Sequence, residues 1–146
     1  MRPGGRRRPR DPGRASVGVM EGRVLVEGSA TGTALVLEEP LSFWGGLDPS
    51  TGEIVESGHP QRGKVVSGRI LVMPSGRGSS SSSTVLAEAI RAGTAPAGIV
   101  LGEPDDIIVM GALAAAELYD IHVPVLLATP AALSAIREDE QISLAR

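Results

Sequence analysis

The chain has 146 residues and is 42% apolar, enough for one domain with a real core. It contains no cysteine, which excludes disulfides, thiolate metal sites and an iron–sulfur cluster held by this chain; only His59 and His122 can supply imidazole. The net charge of −3 is unevenly spread: residues 1–16 carry six arginines and one acid, while the remainder carries eight basic and sixteen acidic residues.

The basic start reads in two ways. It is an arm for nucleic acid, or it is a disordered tail or a mis-called start, the true start then lying near Val17 or Met20. The acidic body favours the second reading, because it continues no basic surface. The expected organisation is therefore a tail over residues 1–19 and a domain over 20–146, with neither nucleic acid nor membrane as partner. No run approaches the roughly 20 apolar residues of a membrane span, and no signal-peptide core follows the arginines, so a soluble cytoplasmic protein is expected. Phe43, Trp44 and Tyr119 are the only aromatics, so Val, Leu, Ile and Ala must build the core.

In chain order, residues 21–27 (E-G-R-V-L-V-E) and 33–37 (T-A-L-V-L) read as short strands joined by the turn residues 28–32. A segment rich in glycine and proline follows over residues 41–68, with one short strand at 53–56. It has too little regular pattern for core and too many specific residues for a linker. From Arg69 the pattern changes. Residues 69–73 form a strand, and 80–91 a helix with Val85, Leu86, Ala89 and Ile90 on one face, stopped by Gly93. Residues 98–101 are a buried strand. Pro104, Asp105 and Asp106 then open a second helix over 105–119. That helix is apolar almost all round, which predicts cover on two sides, from its own sheet and from a partner. Residues 123–128 are a strand, 131–136 a short helix and 141–144 a closing strand. The fold class is α/β: meandering N-terminal β-strands, then a β-α-β-α-β half with a partly parallel sheet.

The chemistry-bearing stretch is residues 70–90, where a buried strand runs through Gly76-Arg77-Gly78 into a helix start. The first amides of a helix lack intrahelical partners and the dipole adds partial positive charge, so a hydroxyl there binds an anion or serves as a base. Neither a P-loop nor a dinucleotide fingerprint fits the spacing. Five consecutive serines read as a linker by composition, or as helix-capping residues given the strong elements on both sides. Ser79 and Ser80 are the hydroxyls nearest the elbow. Residues 41–52 (L-S-F-W-G-G-L-D-P-S-T-G) are either a loop whose aromatics plug the core edge or a contact surface. His59 is either a hydrogen-bonded structural residue or a catalytic acid.

Taken together, F-W-G-G-L-D-P-S-T-G-E at residues 43–53, G-H-P at 58–60 and L-V-M-P-S-G-R-G-S-S at 71–80 resemble the small subunit of the aconitase X family. The resemblance continues through A-P-A-G-I-V-L and A-A-E-L-Y and covers residues 20–128. It implies a β/β/α swivelling domain and a hydro-lyase split over two chains. A large subunit would carry the iron–sulfur cluster, and this chain would bind no cofactor alone. In the family's G-[RK]-G-S pattern the serine after the second glycine is the proton-abstracting base, here Ser79, with Arg77, Gly78 and Ser80 facing the substrate and no metal ligand. The residues agree: dehydration needs a Lewis acid that this chain has no ligands for, and a base that the helix start can offer. The family's substrates are mevalonate 5-phosphate and cis-3-hydroxy-L-proline. Archaeal members tend to read P-R-G-[KR]-G-S-T, whereas this chain has Ser75 in place of the first basic residue, which leans the expectation toward hydroxyproline or another small hydroxy acid. The rival reading is a non-catalytic anion-binding or assembly module using the same helix start.

Overall fold

The structure is a computed structural model and describes residues 22–145. The expected basic tail lies outside the described residues. The strands are β1 (Gly22–Val26), β2 (Ser29–Val36), β3 (Leu41–Ser42), β4 (Leu47–Asp48), β5 (Glu53–Ile54), β6 (Ile70–Met73), β7 (Gly76–Arg77), β8 (Gly98–Leu101), β9 (Val125–Ala128) and β10 (Gln141–Ala145). The helices are α1 (Ser81–Ala92), α2 (Asp106–Tyr119) and α3 (Pro130–Ala135), with a tight turn at Phe43–Gly46 whose Trp44 and Gly45 are not helical.

Six strands form one mixed sheet in the order β10-β2-β6-β8-β9-β1. The β2, β6, β8 and β9 strands are parallel, and the edges β10 and β1 run antiparallel to their neighbours. The β6-α1-β8-α2-β9 series is the parallel unit the sequence pattern predicts. Helices cover both faces, so β6 and β8 are buried along their whole length, which is why they read as unbroken apolar runs. Leu71, Met73, Ile99 and Leu101 meet Leu86, Ala89 and Ile90 of α1 and Ile108, Ala112 and Ala115 of α2. Ile70, Val72 and Val100 point the other way, toward Ala132, Ile136, Ile142 and Leu144. Each fully buried Leu or Ile contributes about 1.5–3 kcal/mol.

The helix boundaries have local causes. Gly93 closes α1 in the left-handed conformation (φ +80°), and Asp105 caps α2 by accepting from the Ile108 N–H at 2.9 Å. Gly111 lets the helices touch, since a Cβ there would lie 2.8 Å from the Ser83 carbonyl. The outer face of α2 is not covered by the described residues: Met110, Leu113 and Leu118 are exposed.

Three expectations need correction. Residues 29–32 belong to β2 rather than to a turn, because Ser29–Thr33 pair with β10 and Gly32 lies against the Gly68 carbonyl, where a Cβ would stand at 2.7 Å. β1 and β2 do not pair with each other; they lie in separate parts of the sheet, β1 at the edge beside β9. Residues 41–68 do reach the core. Leu41, Phe43, Leu47, Ile54 and Val66 are buried, delivered one at a time by turns rather than by a periodic element.

A candidate active site at the Gly76–Ser80 elbow

The carboxyl ends of parallel strands are where an open α/β sheet leaves room for ligands. The elbow stands there, after β6. Its Gly76 and Arg77 form β7, which pairs in parallel with Leu41 and Ser42. At both glycines a side chain would displace its neighbours. A Cβ on Gly76 would lie 2.4 Å from Asp105 Oδ2, and one on Gly78 would lie 2.6 Å from Ser42 Oγ and 2.7 Å from Ser82 Oγ. Gly78 also has φ +118°, a conformation open to glycine and costly for other residues.

Ser79 follows, exposed, at the threshold of α1. Its Oγ accepts from the Ser81 N–H at 3.3 Å, and its carbonyl accepts from the Ser82 N–H at 2.9 Å. The formal N-cap, Ser80, makes no side-chain capping bond. An amide donating to Oγ favours the alkoxide over the alcohol, and the hydroxyl hydrogen remains free to exchange with a ligand. The serine run is thus helix: Ser81–Ser83 build its first turn, and Ser82 is 2% exposed.

Arg77 is held by an ion pair with Glu56, the two side chains being 45% and 20% exposed. The other Glu56 oxygen, Oε1, accepts from the Ser42 N–H at 3.1 Å. Ser42 Oγ donates to the Trp44 carbonyl at 2.9 Å, and the Trp44 N–H donates to Ser82 Oγ at 3.1 Å. The aromatic turn and the elbow are therefore one hydrogen-bonded unit. Within it the aromatics divide: Phe43 plugs the core, while Trp44 is 62% exposed. Glu56, Ser42 and Ser82 escape a reading of the sequence alone, since only the fold brings their segments beside residues 76–80.

His59 sits in the same segment but is buried. Its Nδ1 accepts from the Gln61 N–H at 3.0 Å, which leaves Nε2–H to donate to the Glu39 carbonyl at 3.2 Å. Both ring nitrogens are engaged, so the structural reading of this histidine fits. A cavity of about 320 Å³ also begins at Pro74, lined by Val36, Leu37, Met73, Leu133 and Ser134. It is almost wholly apolar and offers nothing for proton transfer beyond the Ser134 hydroxyl.

The donor set of this chain does not fit an iron–sulfur cluster. There is no cysteine in the sequence, His59 is fully bonded, and among the described residues no group of three or more acidic or imidazole side chains converges. Among the described residues, no helix is long and apolar enough to cross a membrane.

The fold and the elbow define a swivel-type α/β domain that presents a hydroxyl at a helix start. The family model of the aconitase X swivel domain matches residues 19–146, and the chain belongs to this family. It is 48% identical over 103 residues to the cis-3-hydroxy-L-proline dehydratase of Pseudomonas aeruginosa, covering 70% of this chain and 18% of that protein. It is 49% identical over 88 residues to the phosphomevalonate dehydratase small subunit of Methanopyrus kandleri, covering 60% of this chain and 65% of that one. Among solved structures, aconitase X of Thermococcus kodakaraensis superposes with a TM-score of 0.75 at 33% identity, over 84% of this chain and 88% of that chain. The chain thus spans under a fifth of the Pseudomonas relative and about two thirds of the Methanopyrus one.

Proposed function

We propose that this chain is the swivelling small subunit of a two-subunit aconitase-X-type hydro-lyase in which Ser79 is the general base. The observation that carries the reading is the Ser79 hydroxyl, set behind Gly76 and Gly78 at the start of α1 with its Oγ accepting from the Ser81 amide. The names of the relatives from Pseudomonas and Methanopyrus, both dehydratases, support the reaction class. The cluster expected for such a reaction is assigned to a large subunit, because this chain's donors do not fit it.

In the reaction, a proton leaves the carbon beside the carboxylate and the hydroxyl leaves the next carbon, so one double bond and one water form. Ser79 takes the proton. A helix start contributes about 0.3–2 kcal/mol toward its ionisation, and 1.36 kcal/mol is about one pKa unit. That is too little alone for a serine, so charge brought by the closing partner must supply the rest.

Sequence identity does not separate the two substrates, being 48% and 49% to relatives that differ in this respect. The elbow's charge favours one of them. Ser75 adds no basic group and the Arg77 charge is met by Glu56, which suits a zwitterionic amino acid better than a phosphate ester. Cis-3-hydroxy-L-proline is the proposed substrate. The test is to purify the chain with its large subunit and assay both compounds. Ser79→Ala should lower turnover by at least about 100-fold while the chain stays folded and still assembles with its partner. Near-normal dehydration by Ser79→Ala would leave the anion-binding or assembly reading in its place.

A further inference from the structure

Glu56 is the fixed member of the pair with Arg77. It is the more buried side chain, and its Oε1 is tied to the Ser42 N–H at 3.1 Å. Oε1 also lies over Gly46, where a Cβ would stand 2.8 Å away, so the carboxylate fills a place made for it by the aromatic turn. Arg77 reaches out from β7 to that carboxylate. A second acid stands at the elbow: Asp105, whose Oδ2 abuts Gly76 while Oδ1 caps α2. The elbow therefore carries one cation and two carboxylates, although it opens on a helix start whose Ser79 and Ser80 amides donate to no acceptor among the described residues. Left unbalanced, Arg77 beside those amides would make a receptor for polyanions.

We propose that Glu56 is a positioning and specificity-determining residue: it holds Arg77 at the elbow and cancels its charge, so that the site admits substrates without net charge and turns polyanions away. The inference rests on the dehydratase reading for the identity of the substrate, but the charge balance is a property of this chain itself. Glu56→Gln preserves the shape and the acceptor for the Ser42 N–H while releasing the Arg77 charge.

Two measurements test it. In the first, inorganic phosphate is titrated into the full chain and followed by the fluorescence of Trp44, the sole tryptophan and part of the same hydrogen-bonded unit. Glu56→Gln should bind phosphate at least about fivefold more tightly than the unaltered chain. Adding Arg77→Gln should abolish that gain, and Glu56→Asp, which keeps the charge, should show none. Ser75→Arg, which leaves Glu56 in place and adds a cation at the elbow, should also tighten phosphate binding and serves if Glu56→Gln does not fold. In the second measurement, phosphate is tested as a competitive inhibitor of the reconstituted two-subunit enzyme. Glu56→Gln should be inhibited at lower phosphate and should show a raised KM for cis-3-hydroxy-L-proline. Unchanged phosphate binding in a folded Glu56→Gln chain, or a gain that persists after Arg77→Gln, overturns the proposal; where Glu56→Gln does not fold, unchanged binding in Ser75→Arg overturns it. The arms separate the two claims. Loss of the phosphate effect with dehydration intact defeats the role of Glu56 alone, whereas a phosphate effect without any dehydration defeats the dehydratase reading alone.

Discussion

The hydroxyl of Ser82 accepts a hydrogen bond from the backbone N–H of Trp44 at 3.1 Å, with Ser82 only 2% exposed. This bond joins the first turn of α1 to a turn that begins 38 residues before the helix does, by way of the same side chain that would meet a Cβ on Gly78. It couples the elbow to the aromatic turn. Ser82→Ala removes the acceptor and leaves the Trp44 amide without it, so unfolding stability should fall by about 1–2 kcal/mol. Urea titration followed by Trp44 fluorescence reads the loss, and the same variant should shift the Trp44 emission under native conditions. An unchanged emission spectrum would show that the two turns are not coupled through this bond.

Gly78→Ala tests the elbow's geometry more severely. The added Cβ meets two serine hydroxyls at 2.6 and 2.7 Å, on a backbone at φ +118°. The residue must change conformation or push Ser42 and Ser82 apart, and such strain costs about 1–3 kcal/mol. Because the elbow lies at the surface beside α1, the sheet should survive. The expected result is a folded chain by circular dichroism, a lower thermal midpoint and, in the proposed two-subunit enzyme, a severely reduced kcat.

Most of the second half was legible because each element there carries its own signal. β6 and β8 are unbroken apolar runs, α1 has an apolar face and a glycine stop, and α2 has an aspartate cap. The first half resisted because its outcome depends on partners far away in sequence. Residues 29–32 are strand only because β10 lies alongside, and Gly32 suits a strand there because the Gly68 carbonyl comes close. At the elbow, Ser79 and Arg77 stand out in the sequence as a glycine-flanked helix start. The residues that hold them do not. Glu56, Ser42 and Ser82 lie in segments with ordinary loop or helix composition, and their roles arise from side chains meeting across 14 to 38 residues.

The β4–β5 hairpin gives a pH-dependent prediction. Asp48 Oδ1 accepts from the Ser50 hydroxyl at 2.7 Å and from the Ser50 N–H at 2.9 Å, and these bonds hold its pKa below the ordinary carboxylate value. A carboxylate whose pKa is lowered by folding adds stability that is present above its unfolded pKa and is lost as pH falls through the folded pKa. Ser50→Ala removes the larger contribution and should raise the Asp48 pKa, as read by carboxyl carbon NMR. The stability difference between the two chains should be present at neutral pH and shrink once the solution is acidified below the carboxylate range. A difference that grows on acidification would contradict the assignment.

Asp105 serves two elements at once, and its variants separate those services. Oδ1 accepts from the Ile108 N–H at 2.9 Å as the cap of α2, and Oδ2 stands where a Cβ on Gly76 would come within 2.4 Å. Capping by aspartate contributes about 1 kcal/mol, and a negative charge near a helix start adds about 0.3–1 kcal/mol. Asp105→Asn keeps a capping oxygen and the shape against Gly76 but loses the charge, so stability should fall slightly and the elbow should hold its place. Asp105→Ala loses the cap and the brace together. Its thermal midpoint should drop by roughly 4 °C for about 1 kcal/mol in a chain of this size, and kcat of the assembled enzyme should fall as Gly76 and Arg77 gain freedom. If Asp105→Ala lowers the midpoint but leaves kcat equal to that of Asp105→Asn, then Asp105 caps α2 without bracing the elbow, and the pairing of β7 with β3 is enough to hold Ser79 in register.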